Sequence, residues 1–218
     1  MHTTAMKVIR PGMYEYEVVA EMNRIAEMNN CQLSFATIAT VNGQTLHNHY
    51  HGNKVKPGDL FLIDAGAEIE LGYAGDMSST VPADKTFTPK QRAVYEIQNA
   101  MHLAAVNALR PGIPYMEVYE LTARTLVDGM KGLGLMKGNT EDAVREGAHA
   151  LFYPHGLGHM MGLDVHDMEN LGEVWVGYDG QPKSTQFGRK SQRLARPLEP
   201  GFVLTVEPGV YFIPELMD

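Results

Sequence analysis

The sequence predicts a single α+β domain built from two related halves, and three observations lead to that fold class. A helical segment at 1–18 is repeated at 101–118, a short apolar run at 57–66 is repeated at 200–209, and a hairpin pattern follows the first run. A chain of 218 residues also lies within the range in which one α+β domain forms a single core. We therefore expect residues 1–218 to form one domain.

The helical repeat pairs MHTTAMKVIRPGMYEYEV with MHLAAVNALRPGIPYMEV. Eight positions coincide: Met1/Met101, His2/His102, Ala5/Ala105, Arg10/Arg110, Pro11/Pro111, Gly12/Gly112, Glu17/Glu117 and Val18/Val118. In each copy a helical pattern stops at Pro-Gly, and a second helix follows. The second helices have apolar residues at helical spacing: Val18, Met22 and Ile25 in one copy, and Val118, Leu121 and Leu126 in the other.

The strand repeat consists of PGDLFLIDAG at 57–66 and PGFVLTVEPG at 200–209. In both copies a Pro-Gly turn leads into a short, apolar, β-prone run that ends in one carboxylate, Asp64 or Glu207. Burying an acid at the end of an apolar strand is costly unless something neutralises it. The two carboxylates are thus predicted to occupy equivalent points of the two halves.

The stretch after Asp64 predicts a β-hairpin, with its turn at residues 70–72 of AGAEIELGYAGDMSSTVP. A turn centred near residue 70 sets Asp64 opposite Asp76. Facing carboxylates are destabilising unless a cation lies between them, and hard divalent cations prefer oxygen ligands. The alternative is that one of the two side chains points to solvent at the hairpin edge.

A histidine-rich stretch, HGLGHMMGLDVHD at 155–167, combines three histidines and two aspartates with three glycines. The glycines favour a tight loop or a strand end over an amphipathic helix, and the stretch lacks the glutamate of the HExxH zinc helix. A single histidine is more often a core or surface residue than a ligand. The stretch alone therefore assigns no function.

Composition narrows the compartment and the partners. The net charge of -8 disfavours nucleic acids and anionic membranes, because a phosphate-binding surface needs an excess of Lys and Arg. The one cysteine, Cys31, excludes an internal disulfide. The N-terminus has no apolar signal-peptide segment, and no run approaches the ~20 apolar residues of a membrane span. These features predict a cytoplasmic protein that binds neither nucleic acid nor a membrane.

Residues 169–196 form a long, polar, glycine-containing stretch with the only tryptophan of the chain. Such a stretch predicts an excursion loop with a short hairpin around Trp175. Its position directly after the histidine-rich stretch makes a pocket wall one role for it.

Four motifs, taken in chain order, resemble those of the pita-bread metallopeptidases: DAG at 64–66, GYAGD at 72–76, HGLGHMMGLDVHD at 155–167 and TVEPGVY at 205–211. The LDVHD ending and TVEPG are similar to the Xaa-Pro aminopeptidase and Xaa-Pro dipeptidase (prolidase) branch rather than to methionine aminopeptidases. The resemblance runs from near the first residue to the end of the chain. It implies a duplicated α/β unit with a curved antiparallel sheet and helices on its outer face.

The resemblance also implies a centre of two divalent metal ions. Asp64 resembles the bidentate ligand of one ion, and Asp76 resembles the carboxylate that bridges both ions. His159 resembles the imidazole ligand of the other ion, with Glu207 beside it. Oxygen-rich ligation with one imidazole favours manganese (Mn2+), although cobalt (Co2+) or zinc (Zn2+) can occupy such a site.

Further histidines resemble the substrate-contacting residues of the family. His155 and His166 are similar to the pair that contacts substrate and passes protons. His47, seventeen residues before Asp64, is the best match to a further substrate-binding histidine, and His49 is the alternative.

The function implied by the resemblance is hydrolysis of the Xaa-Pro bond at the N-terminus of peptides or in dipeptides. The partner would be a small peptide with proline at the second position, and a homodimer is a further expectation. Two ions would activate a water as hydroxide, and the two proton-passing histidines would assist the leaving proline nitrogen. Two other classes remain open: a pita-bread domain that has lost catalysis and binds peptides or proteins, and a structural protein without metal.

Two departures bear on this function. Where the family often has Thr-Arg-Thr after the bridging aspartate, residues 78–80 are Ser-Ser-Thr, so one positive charge is absent. The family's fifth ligand, a glutamate on a final strand, has no match, because only Glu215 and Asp218 follow TVEPG as acids. The family's N-terminal domain has no match either. We therefore expect weak metal binding and little or no activity from these 218 residues alone.

Overall fold

The computed structural model of the chain describes every residue except Asp218, so this acid lies outside the described residues. The backbone divides into two compact units. Among the described residues, the first unit contains Met1–Gln91 and Met161–Val165, and the second contains Arg92–Met160 and residues 166–217. Across the described residues, no helix combines the length and the apolar character that a membrane crossing requires.

The first unit begins with the predicted helix pair. Helix α1 spans His2–Val8 and helix α2 spans Glu15–Met28. At the start of α2 the backbone amide of Tyr14 donates to the Glu17 carboxylate over 2.7 Å, which satisfies one donor at the helix end. The apolar residues buried along α2 recur every four positions and form one stripe toward the core: Val18, Met22 and Ala26.

Two small antiparallel sheets complete the first unit. One pairs β1 (Gln32–Leu33) with β4 (Ala67–Glu68). The other has the order β2 (Ile38–Thr40), β3 (Leu60–Ala65), β5 (Met77–Pro82). In β3 the residues that face the core alternate along the strand: Phe61, Ile63 and Ala65. The same alternation directs the side chain of Asp64 to the opposite face, away from that core.

The hairpin between β3 and β5 differs from the prediction by two positions. Asp64 pairs with Ser78 and not with Asp76. The turn is centred one residue later than expected, because the amide of Ile69 donates to the carbonyl of Tyr73 over 3.2 Å. Moving the turn centre by one residue moves every cross-strand partner by two. The prediction of two directly facing carboxylates is therefore wrong.

A buried carboxylate, Glu15, ties the start of α2 to the strand segments of the first unit. It accepts hydrogen bonds from the Thr40 hydroxyl at 2.9 Å, the Val41 amide at 2.8 Å and the Asn53 side chain at 3.0 Å. The backbone amide of Asn53 is a further donor, at 3.1 Å. One side chain thus ties the end of β2 to Asn53, within the connection between β2 and β3.

The second unit opens with the repeated helix pair. Helix α3 spans Pro89–Ala108, of which the residues from Arg92 onward belong to this unit, and helix α4 spans Tyr115–Gly132. Two shorter helices follow, α5 (Thr140–Arg145) and α6 (Glu173–Tyr178). Single 3-10 turns lie between and after them: Ala148–Leu151, Glu169–Leu171, Arg189–Ser191 and Pro214–Leu216.

Tyrosines lie at the centre of the second unit's core. Tyr115, Tyr119 and Tyr153 are all fully buried within it. The Tyr119 hydroxyl lies 2.9 Å from Nε2 of His149, which is also fully buried. Burial, with the nearby charge of Arg189, lowers the pKa of His149 to about 4. This imidazole is therefore neutral in the folded protein at physiological pH.

The two units repeat one hydrogen-bonding pattern, which supports the internal duplication. The amide of Gly12 donates to the carbonyl of Val55 at 2.9 Å in the first unit, and the amide of Gly112 donates to Leu198 at 2.8 Å in the second. The donors are 100 residues apart and the acceptors 143 residues apart. The second offset also separates the two carboxylates that the strand repeat pairs with each other.

The apolar run before Glu207 is extended, but it is not the regular strand that the repeat predicted. It has one isolated antiparallel bridge, between Leu204 and Met160. One bridge and a few backbone hydrogen bonds are too little for a regular ladder, so the second copy of the strand is less regular than β3.

The stretch at 169–196 also differs from the prediction. Trp175 lies in helix α6 and not in a hairpin, and 70% of its surface is exposed. The amides of Trp175 and Val176 both donate to the carbonyl of Gly172, at 2.9 and 3.1 Å, which begins a helical turn. The hairpin expected around Trp175 is therefore wrong.

Candidate metal centre

Asp64 and Asp76, the two predicted ligands that belong to the first unit, lie on one face of the hairpin. The amide of Gly75 donates to the carbonyl of Ala67 at 3.0 Å, which continues the ladder of β3 and β5 past Asp76. Because side chains two residues apart in an extended chain point the same way, Asp76 shares the face of Ser78 and of its partner Asp64. Diagonal neighbours of this kind lie roughly 7–8 Å apart, which leaves room for a cation between the two carboxylates.

The glycines of the two acid motifs allow the hairpin backbones to approach each other. A Cβ atom on Gly66 would lie 1.6 Å from the carbonyl oxygen of Gly75, so no larger residue fits there. The amide of Ala74 donates to the carbonyl of Gly162 at 2.9 Å. This bond joins the hairpin to Met161–Val165, the part of the histidine-rich stretch that belongs to the first unit.

His159 and Glu207 form the ligand-type pair of the second unit. His159 is buried, with Nδ1 2.8 Å from the carbonyl oxygen of Met160 and Nε2 3.3 Å from Oε1 of Glu207. Because a carbonyl oxygen can only accept, Nδ1 carries a proton and donates to it, and Nε2 faces Glu207 either with a second proton, as a charged imidazolium, or with a lone pair. A lone pair and a carboxylate oxygen at this distance repel each other unless a proton or a cation lies between them. This donor pair therefore fits a metal ion.

The charge of Glu207 is set by its neighbours. Burial alone would raise its pKa, but the hydrogen bond and charge of His159, the charge of His155 and the Thr205 hydroxyl together hold the pKa below its ordinary value. Glu207 is therefore an anion at neutral pH, which is the form that binds a metal ion.

The other two predicted histidines of the stretch lie near aromatic and imidazole rings of the second unit. The His166 ring stands almost perpendicular to that of His159, with centroids 4.4 Å apart. The His155 ring makes edge contacts with Tyr153 and Tyr211, at centroid distances of 5.1 and 5.2 Å. His166 thus lies beside a ligand-type residue, and the proton-passing role of both histidines stays a prediction.

His47 and His49 belong to the first unit, on residues 41–53, and both are exposed. His47 has a φ of 53°, a left-handed conformation that is uncommon outside glycine. Its substrate-binding role stays a prediction. Sequence reasoning missed His51, whose Nε2 lies 3.0 Å from the carbonyl oxygen of Thr37 and anchors the same segment. Nothing in the spacing of the three histidines distinguishes that anchoring role.

Sequence reasoning also missed Thr205. Its hydroxyl lies 2.9 Å from Oε1 of Glu207 and 3.0 Å from the backbone nitrogen of His159. The signal that could have identified it is the spacing, because residues two apart in an extended segment share a face.

Comparison with known sequences finds one family over the whole described chain. The sequence profile of metallopeptidase family M24 matches residues 1–217. The Xaa-Pro aminopeptidase of Escherichia coli is 38% identical over 219 residues, which cover 98% of this chain and 45% of that protein. The Xaa-Pro dipeptidase of Rattus norvegicus is 33% identical over 225 residues, covering 100% of this chain and 44% of that protein. The chain thus spans about half the length of the curated relatives it matches.

Solved structures give the same match. Zinc-substituted aminopeptidase P of Escherichia coli in complex with product superposes with a TM-score of 0.85 at 38% identity, covering 99% of this chain and 45% of that one. Proline aminopeptidase P II from Yersinia pestis gives a TM-score of 0.85 at 41% identity, covering 99% and 46%. The predicted α+β class and pita-bread fold are therefore confirmed.

Proposed function

The chain belongs to metallopeptidase family M24, and from that premise we propose that it is the catalytic region of an exopeptidase that hydrolyses Xaa-Pro bonds. The substrate is a small peptide with proline at the second position, or an Xaa-Pro dipeptide. Relatives that are Xaa-Pro aminopeptidases and dipeptidases support this substrate class. The observation that carries the proposal is the pair of buried His159 and half-buried Glu207, whose ligand atoms face each other 3.3 Å apart.

The metal ligands in this proposal are Asp64, Asp76, His159 and Glu207. Carboxylate oxygens with one imidazole nitrogen suit a pair of divalent ions, and Mn2+ fits this donor set with Co2+ or Zn2+ as substitutes. When bound, the ions supply Lewis acidity that activates a water and polarises the scissile carbonyl. The carboxylates of the chain hold this charge, and the carbonyl of Met160 fixes the orientation of the His159 ring.

Histidines act on the peptide in this proposal. His155 and His166 bind the reacting group and deliver a proton to the leaving proline nitrogen, a task that suits imidazole because its charge changes near neutral pH. His47 contacts the substrate, and His49 is the alternative. Residues 1–218 form one catalytic domain of a cytoplasmic homodimer in the same proposal.

The test measures metal binding and cleavage on the same protein. The chain is stripped of metal, titrated with Mn2+ by calorimetry, and assayed on Gly-Pro-Ala and on Gly-Ala-Ala. We expect weak Mn2+ binding and little turnover, and the glycine that is released should come from the proline peptide alone. Glu207→Gln keeps the shape of the side chain but removes its negative charge, so that variant should lose metal and activity together.

The outcomes separate the competing functions. Binding of Mn2+ without cleavage is expected if the family's fifth ligand, a glutamate, is required for turnover. Peptide binding without Mn2+ and without cleavage would overturn the proposal in favour of a binding module that has lost catalysis. Equal cleavage of both peptides would overturn the specificity for proline.

A further inference from the structure

We infer that the hydroxyl of Thr205 is a positioning group shared by the two ligand-type residues of the second unit, His159 and Glu207. The inference rests on the proposed function, because it concerns how these side chains are held for a metal ion. Thr205 is not itself a ligand, and it acts through the two residues that are.

One hydroxyl makes two directed hydrogen bonds. The backbone N–H of His159 can only donate, so Oγ1 of Thr205 accepts from it at 3.0 Å. The hydroxyl proton is then left for the Glu207 carboxylate, 2.9 Å away. The acceptor is Oε1, the same oxygen that faces Nε2 of His159. The hydroxyl therefore fixes the carboxylate oxygen that lies against the imidazole.

The backbone of Thr205 is held independently of its side chain. Its amide donates to the carbonyl of His159 at 2.9 Å, and its carbonyl accepts from the hydroxyl of Tyr115 at 2.6 Å. Burial, together with the charge of Glu207, raises the pKa of Tyr115 well above its ordinary value, so this phenol stays protonated and remains a donor. The threonine hydroxyl is thus presented from a rigid backbone.

The neighbouring segment is shaped to the same residue. A Cβ atom on Gly158 would lie 2.2 Å from the carbonyl oxygen of Thr205 and 2.8 Å from its hydroxyl oxygen. Glycine at this position therefore allows Thr205 to approach the backbone of His159. This close approach explains one of the glycines that interrupt the histidine-rich stretch.

A positioning role and a structural role predict different measurements. If Thr205 only stabilised this segment, removing its hydroxyl would lower the stability of the protein and leave the metal affinity of the folded form unchanged. If Thr205 positions Glu207, removing the hydroxyl lowers the metal affinity as well, because the Glu207 carboxylate then gains freedom to rotate.

The experiment compares two substitutions in the full chain. Thr205→Val removes the hydroxyl and keeps the branched shape, whereas Thr205→Ser keeps the hydroxyl and removes the methyl group. The Mn2+ dissociation constants of the stripped proteins are measured by calorimetry, and circular dichroism melting reports their folding. We expect the valine variant to bind Mn2+ roughly 10–100-fold more weakly, and the serine variant to bind like the wild type.

The failures of the inference and of the proposed function are distinguishable. Equal Mn2+ affinity of the wild type and the valine variant would overturn the inference, as would an equal loss in the valine and serine variants. A wild-type chain that binds no Mn2+ would overturn the proposed function and the inference with it. Thr205→Ala, which also lacks the hydroxyl, replaces the valine variant in the comparison if that variant does not fold.

Discussion

Gly158→Ala is the substitution whose cost follows most directly from the structure. The added Cβ would lie 2.2 Å from the carbonyl oxygen of Thr205 and 2.8 Å from both its carbonyl carbon and its hydroxyl oxygen. These are mainly backbone contacts, which cannot be relieved by rotating a side chain. The two segments must therefore separate by roughly 1 Å to reach an ordinary carbon–oxygen contact.

The separation weakens three hydrogen bonds between the segments: from the Thr205 amide to His159 at 2.9 Å, from the Glu207 amide to Leu157 at 2.8 Å, and from the His159 amide to the Thr205 hydroxyl at 3.0 Å. At about 1 kcal/mol net for each bond, the free energy of unfolding falls by about 3 kcal/mol. Overpacking of a well-packed site costs about the same, 1–3 kcal/mol. The ratio of folded to unfolded protein should therefore drop on the order of 100-fold.

Urea unfolding of the metal-stripped protein, followed by circular dichroism, measures this change. The matched control is Gly132→Ala at the end of helix α4, where an added Cβ meets nothing within 4 Å. We expect that control to stabilise the protein by up to about 1 kcal/mol, because alanine is the better helix former. A Gly158→Ala protein within about 0.5 kcal/mol of the wild type would refute the reasoning, since that is the range of ordinary surface substitutions.

Three further predictions concern other side chains. Glu15→Ala leaves the buried hydroxyl of Thr40 and part-buried donors of Val41 and Asn53 without their acceptor, and it should cost about 3 kcal/mol. The exposed Glu27→Ala should cost less than about 0.5 kcal/mol, and equal costs would contradict the role of the buried carboxylate. His149 binds a proton below about pH 6.5 in the unfolded chain, but only near its pKa of about 4 in the folded chain. The free energy of unfolding should therefore keep its full value above pH 6.5 and fall by up to about 3 kcal/mol as the pH is lowered toward 4. An unchanged pH dependence in His149→Gln would show that another group is responsible. Asp76→Asn should lose bound Mn2+ while His166→Ala retains it, and metal analysis showing equal losses would mean that His166 is misassigned.

The helix pairs could be predicted because their signals are local. Pro-Gly stops and four-residue apolar spacing recur within each copy, and helices α1 to α4 follow them. The register of the hairpin was harder to predict, because moving the centre of the turn by one residue changes the cross-strand partner of Asp64 from Asp76 to Ser78. Helix α6, which contains Trp175, is only six residues long, so it shows no helical periodicity in the sequence that would distinguish it from a hairpin.

The ligand-type residues could be proposed from the resemblance of four motifs to a known family, but their supporting contacts could not. The resemblance of two separate motifs, at 155–167 and 205–211, predicted that His159 and Glu207 lie side by side. The two hydrogen bonds of the Thr205 hydroxyl depend on how closely two distant segments approach, and that distance is a tertiary property. A glycine such as Gly158 indicates in the sequence that another segment packs closely against it, but the sequence does not show that this segment contains Thr205.

Glu15 and Tyr115 are the first residues of helices α2 and α4, and they occupy the same position of the duplicated framework. The first is an anchor that only accepts hydrogen bonds, and the second donates its phenolic proton to the carbonyl of Thr205. Hydrogen-bond polarity at this repeat position is therefore inverted between the copies. A chimaera that placed the helix pair of the first copy against the extended segment of the second would set a carboxylate against a carbonyl, with no proton between them. The two copies have thus become non-interchangeable at a single residue, although the helix geometry around it is shared.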